Sequence, residues 1–256
     1  MIGILQGRLT RPWNGKLQCF PREGWEAEFD LARKCGLEAI ELFVETDHNP
    51  DNPVWSEGGR KRLRELSRAS GVATPTLCAD CFMATPFHSE PERAVPILQT
   101  LIGFGFRRIV LPFYEKAELR SSQDVDRLCQ ALNGVDRKGV ELELETSLPA
   151  VELIPLIDRL GAGVCYDLGN TTAFGHNLPG DIRLLGSRIG HVHVKDKRRA
   201  DGQNVLLGTG DTDFRSAFAA LREIGYAGDY TMETFRGDDP VETARKHAAF
   251  VQTFLR

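Results

Sequence analysis

The chain is short of long hydrophobic runs. No apolar stretch approaches the ~18 residues that a membrane-spanning helix needs. No secretory-type leader opens it. A soluble cytoplasmic protein without membrane partners is therefore expected. It also lacks a basic excess: 32 Lys and Arg stand against 36 Asp and Glu, for a net charge of −4. Such a chain cannot neutralise a long nucleic-acid footprint, although a local basic patch stays open. It lacks a cysteine framework as well. Its six cysteines (19, 35, 78, 81, 129 and 165) are scattered, and the Cys78-x-x-Cys81 pair has no second pair to complete a structural zinc site. Reduced thiols are expected. Finally, no Gly-rich phosphate turn follows the first apolar segment, as a dinucleotide-binding sheet requires. Gly208-Thr209-Gly210 follows a loop and not a strand, and reads as a tight turn before a helix.

What the chain does have is alternation of short β-branched segments with amphipathic helical ones. Strands are expected at 2–5, 38–44, 72–78, 108–111 (ended by Pro112), 140–145, 163–167, 189–194 and 230–234. Helices are expected at 25–35, 57–70, 91–104, 122–137, 150–160, 179–187, 213–224 and 240–255. The helix at 213 is opened by an Asp N-cap, and Pro240 stands in the first turn of the closing helix. Eight strand–helix units without a linker, in about 250 residues, predict a single (β/α)8 barrel domain over residues 1–256. A doubly wound α/β sheet is the runner-up.

Residues two apart on a strand share a face. In Gly190-His-Val-His-Val-Lys-Asp196, that puts His191, His193 and Lys195 on one side and Val192 and Val194 on the other. In a barrel sheathed by helices the polar side looks inward, where two imidazoles and an ammonium need partners. Active sites of such barrels lie at the C-terminal ends of the strands. By the same alternation, Glu145, Asp167, His193 and Glu233 sit at or near the ends of four successive strands, facing the axis. Three carboxylates and one imidazole at one mouth repel without a counter-charge. A single divalent metal answers this, and mixed O/N ligation suits Mn²⁺, Zn²⁺ or Co²⁺, with Mg²⁺ less favoured by the imidazole.

Further candidates surround this set. His191, one layer deeper, is expected to be core or to orient a ligand. Lys195 reaches the mouth, either free for substrate or paired with Asp196. The run Lys197-Arg198-Arg199 reads as a solvated loop or as an anion clamp in which Arg198 and Arg199 bind substrate. Glu41, on the second strand, stands between a site role and a structural one. His48, His88 and His176 lie on loops that could reach the mouth, and His176 is expected to contact substrate. Gln6 and Arg8 are weaker candidates. Glu141 and Glu143 share a face with Glu145 and are expected to be buried partners of His191 or Lys195.

Glu145, Tyr166-Asp-Leu-Gly-Asn170, Gly190–Asp196, Gly208-Thr-Gly-Asp-Thr-Asp-Phe214 and Met232-Glu-Thr234 resemble the xylose-isomerase-like sugar phosphate isomerase/epimerase superfamily. Among its branches the chain looks most like the L-ribulose-5-phosphate (L-xylulose-5-phosphate) 3-epimerase group. The likeness runs through most of the chain and is strongest from residue 140 onward. It implies one divalent metal held by Glu145, Asp167, His193 and Glu233, with Glu145 and Glu233 also the acid/base pair. It implies a sugar or sugar-phosphate substrate and proton transfer next to a ketose carbonyl through a metal-stabilised enediolate. Where some members carry a substrate-contacting histidine three residues after the metal Asp, this chain has Asn170, as the pentulose-phosphate group does. Asn170 and the absence of an Asp-x-His pair after the seventh strand argue against the three-zinc endonuclease IV type. Inosose dehydratase-type lyases and a non-catalytic barrel remain alternatives, and a homo-oligomer stays possible.

Overall fold

The computed structural model describes residues 1–12 and 15–255. Eight parallel strands close into a barrel: β1 (Ile2–Leu5), β2 (Ala39–Val44), β3 (Thr76–Ala79), β4 (Arg108–Phe113), β5 (Glu141–Thr146), β6 (Gly163–Asp167), β7 (Ile189–Val194) and β10 (Asp229–Met232). Their order around the barrel is β1-β10-β7-β6-β5-β4-β3-β2. A small antiparallel pair, β8 (Asp196–Lys197) and β9 (Asn204–Val205), continues outward from β7. The helices are α1 (Ala27–Lys34), α2 (Glu57–Ser70), α3 (Cys81–Ala84), α4 (Pro91–Ile102), α5 (Ser122–Leu132), α6 (Ala150–Leu160), α7 (Leu168–Ala173), α8 (Leu178–Leu185), α9 (Phe214–Glu223) and α10 (Pro240–Gln252). None is long and apolar enough to cross a membrane among the described residues.

Local chemistry sets these boundaries. The Ser56 side chain accepts the Gly59 N–H at the start of α2, and Gly71 closes it at φ 74°, where a side chain would be strained. Asp239 accepts the Val241 and Glu242 N–H groups ahead of Pro240 in α10.

Two apolar layers follow from the strand alternation. Outward residues such as Leu42, Leu77, Ile109, Leu144, Val192, Val194 and Met232 pack under the helices. A small inner cluster of Leu5, Phe20, Phe43, Cys78, Val110 and Cys165 plugs the barrel. Buried polar side chains, among them Glu41, Arg108, Glu143, Glu145, Asp167, His191 and His193, share the barrel interior with this plug.

Several boundaries differ from the sequence expectation. Val72 and Ala73 touch the sheet only through a single bridge at Ala73, so β3 starts at Thr76 and extends to Ala79. Pro112 does not end β4: it pairs in register with Glu145, and the strand runs on to Phe113. In place of a helix to Arg137, α5 stops at Leu132. The short α3 and α7 and the β8/β9 pair were not anticipated.

Candidate metal centre and substrate pocket

Register places the candidate residues at one height. Asp167 lies opposite His193 across β6 and β7, and Glu145 lies opposite Pro112 across β4 and β5. Glu233 follows β10 directly, its N–H donating to the Val194 carbonyl at 3.1 Å. One ligand atom from each of Glu145, Asp167, His193 and Glu233 falls within 4.8 Å of the others, and all four residues are buried. His193 Nδ1 is 3.1 Å from Glu233 Oε2 and 3.4 Å from Glu145 Oε2. Nδ1 of His193 is buried without a well-aligned hydrogen bond. An unsatisfied imidazole nitrogen among three buried carboxylates fits a divalent cation.

Each of the four candidate side chains is held from behind. Glu145 Oε1 accepts from Tyr114 Oη at 3.2 Å and Asn170 Nδ2 at 3.0 Å. Asp167 Oδ1 accepts the Asn170 N–H at 2.6 Å, capping α7. The Lys195 ammonium bridges Asp167 Oδ2 and Glu233 Oε1, both at 2.9 Å. Arg8, buried, adds a 3.4 Å contact to Glu233. His193 Nε2 meets Glu41 at 3.0 Å. These surroundings push the two glutamates apart. Burial raises the pKa of Glu145, against the pull of His193. Glu233 is held well below the carboxylate range: burial opposes this, but Lys195, His193 and Arg8 outweigh it.

Above the donor set is a cavity of about 250 Å³, lined among others by Gln18, Asp80, Tyr114, Asn170, Phe174, Lys195 and Lys197. Larger hollows exist, including one of about 830 Å³ at the opposite end of the barrel, but they gather none of the four ligands.

The remaining sequence candidates are distributed as follows. Asn170 and Lys195 line the cavity; Lys195 pairs with Asp167 and Glu233 and not with Asp196. Asp196 instead accepts the N–H groups of Gly208, Gly210 and Thr212, which makes the glycine pair a tight turn. Arg198 and Arg199 are exposed at the turn of the β8/β9 pair, where Arg198 binds Asp201 at 2.7 Å. Neither lines the cavity; Lys197, the first residue of that run, does. His176 lies beside Phe174 and 3.9 Å from Asp181, outside the cavity lining. Glu41 is buried within the barrel against His191 and His193, away from the cavity. Glu143 pairs with neither His191 nor Lys195: its partner is Arg108 at 3.7 Å, and Glu141 lies half-exposed beside the same arginine. Gln6 accepts the Phe43 N–H, a structural task.

Asp80, Tyr114 and Gln18 were not singled out from sequence. Asp80 follows the true end of β3 and Tyr114 the true end of β4, so the strand-end rule would have found both had those strands been given their real length. Burial, reinforced by the charges of Glu233 and Glu145, pushes the Asp80 carboxyl up to about 7.

A closed (β/α)8 barrel with a carboxylate–imidazole cluster at its C-terminal mouth defines a class, and sequence comparison agrees. The family model described as xylose isomerase-like TIM barrel matches residues 29–254, and the chain belongs to that family. The L-ribulose-5-phosphate 3-epimerase UlaE of Salmonella paratyphi C is 27% identical, over 90% of this chain and 87% of the relative. Among solved structures, D-psicose 3-epimerase from Clostridium cellulolyticum with D-tagatose superposes with a TM-score of 0.77 at 17% identity, covering 100% of this chain and 99% of that one. D-allulose 3-epimerase from Methylomonas sp. in complex with D-allulose gives 0.72 at 16% identity, covering 98% and 96%.

Proposed function

We propose that this chain is a divalent-metal-dependent 3-epimerase of a pentulose phosphate. It is an enzyme of the sugar epimerase and isomerase group, and the finer reading rests chiefly on one observation. Two glutamates, Glu145 and Glu233, converge with Asp167 and His193 on one buried locus beneath a small cavity. Mn²⁺, Co²⁺ or Zn²⁺ suits that donor set. A divalent ion held by Glu145, Asp167, His193 and Glu233 would supply Lewis acidity to the substrate's carbonyl.

The chain's own residues do the rest. One glutamate removes the proton from the carbon next to the carbonyl, and the other returns a proton to the same carbon from the opposite face, inverting it. Tyr114 and Asn170 orient Glu145; Lys195 and Arg8 orient Glu233 and keep it ionised. Lys197, which lines the cavity two residues beyond Lys195, would contact the phosphate in this reading.

The test is proton NMR in D₂O with a panel of ketoses and their 5-phosphates, beside elemental analysis of the purified protein. The reading predicts one metal per chain and solvent deuterium at C3 of a pentulose phosphate. Glu145→Gln and Glu233→Gln each slow exchange by ~10²–10⁴ with the fold intact. Deuterium at C1 with an aldose product would make it an isomerase, and loss of water a lyase. Absence of both metal and exchange would sink it.

A further inference from the structure

Below the donor set, one carboxylate serves two imidazoles. Glu41 Oε2 is 2.7 Å from His191 Nε2, and Glu41 Oε1 is 3.0 Å from His193 Nε2. All three side chains are at most 1% exposed. An ionised carboxylate can only accept, so each contact requires a proton on the imidazole Nε2. The chain continues downward: Arg108 Nη1 lies 3.4 Å from His191 Nδ1 and 2.9 Å from Asp229 Oδ2. A guanidinium can only donate, so His191 Nδ1 accepts and the His191 proton again belongs on Nε2.

The tautomer matters because His193 stands between two sets of potential ligands. Its outer neighbours are Glu145, Asp167 and Glu233; its inner ones are Cys165 and His191, whose ligand atoms lie within 4.8 Å of its own. A thiol with two imidazoles suits soft ions, whereas three carboxylates suit harder ones. Whichever nitrogen of His193 lacks a proton decides which set it serves. We propose that Glu41 is a positioning residue that keeps Nε2 of both His191 and His193 protonated, closing the inner set and leaving His193 Nδ1 as the one nitrogen free to bind a metal among the outer carboxylates. Nothing about Glu41 requires contact with the substrate, and it lies outside the cavity lining. The inference rests on the metal-centre reading of the proposed function.

The experiment is long-range ¹H–¹⁵N NMR of the histidine-labelled protein, metal-free and loaded with diamagnetic Zn²⁺. Both His191 and His193 are expected to carry a slowly exchanging Nε2 proton in both states, with zinc bound only at His193 Nδ1. A His193 that carries its proton on Nδ1 alone, or binds zinc through Nε2, overturns the proposal. The metal-free spectrum scores Glu41 even if the wild type takes up no metal, a result that would overturn the proposed function instead. Glu41→Gln is the matched variant. Its amide offers one acceptor and one donor edge, so the two histidines cannot both keep their Nε2 protons against it. Because Arg108 still holds the His191 proton on Nε2, the expected result is a tautomer change at His193 and zinc affinity ~10–100-fold lower by chelator competition. Wild-type tautomers and affinity in Glu41→Gln would also overturn it, and the wild-type spectra need no variant to fold.

Discussion

Lys195 is a buried cation shared by two carboxylates of the site. Its ammonium lies 2.9 Å from both Asp167 and Glu233, and burial alone would pull its pKa down. The surrounding carboxylates reverse that and hold it charged. Removing one partner of a buried ion pair typically costs ~3–5 kcal/mol, because the charges left behind lose their compensation. Lys195→Met should therefore destabilise the metal-free protein by about that much in urea unfolding. Adding Mn²⁺ should restore part of the loss, since a cation at the donor set replaces the missing charge. A second expectation separates the members of the basic run. Lys197 lines the cavity, while Arg198 is occupied by Asp201 at the turn. Lys197→Ala should raise KM for a pentulose phosphate by about tenfold, the value of one modest charge-assisted contact, and leave KM for the unphosphorylated ketose unchanged. Arg198→Ala should leave both within about twofold, as surface substitutions usually do.

At the scale of elements, the loop between β9 and α9 is tied to the barrel by buried polar contacts. Asp196 gathers three N–H groups of the turn, and Gly210 is required there because a Cβ would fall 2.3 Å from Asp196 Oδ1. His247 of α10 adds the second tie. Its Nε2 accepts the Leu207 N–H at 3.1 Å, and its Nδ1 faces Thr234 Oγ1 at 3.0 Å. Burial pulls its pKa down to about 4. Between that value and the ordinary ~6.5, the unfolded chain binds a proton that the folded chain refuses. The stability this neutral histidine contributes is thus present above about pH 6.5 and is lost as pH falls toward 4, by up to ~3 kcal/mol. His247→Gln keeps an acceptor for Leu207 and removes the titration. The stability advantage of wild type over this variant should shrink between about pH 7 and pH 4.5 in urea unfolding. A pH-independent difference would count against the assignment.

Over the whole molecule, a metal at the proposed donor set would be coupled to stability, because Glu145, Asp167, His193 and Glu233 come together only when the barrel is closed. An ion that binds the folded chain alone stabilises it by ~2.7 kcal/mol at a hundredfold excess over Kd. Thermal unfolding should therefore shift upward with Mn²⁺ and back down with EDTA, and EDTA should abolish deuterium exchange into substrate. An EDTA-insensitive Tm would tell against a metal at this locus.

Most of the barrel was legible in the sequence, and the reason is periodicity. Strand alternation and helical spacing are properties of neighbouring residues, so the eight strand–helix units could be read locally. So could the inward faces of Glu145, Asp167, His193 and Glu233. What neighbouring residues do not encode is height along the barrel axis and the direction of a loop. Pro112 looked like a strand end, yet in a barrel held by both neighbours the strand passes through it, which brings Tyr114 to Glu145. For Arg198 and Arg199 the sequence leaves a solvated loop and an anion clamp both open, and the pairing of Lys197 with Asn204 turns them into solvent. Glu41 shares the inward direction of the site residues; only the register of β1 with β2 and the closing of the barrel set it under two histidines instead of in the mouth. Sequence by itself thus determined the architecture and which side chains face the axis. Tertiary structure decided the level at which each one sits, because that depends on strand register and closure between segments as far apart as residues 41 and 193.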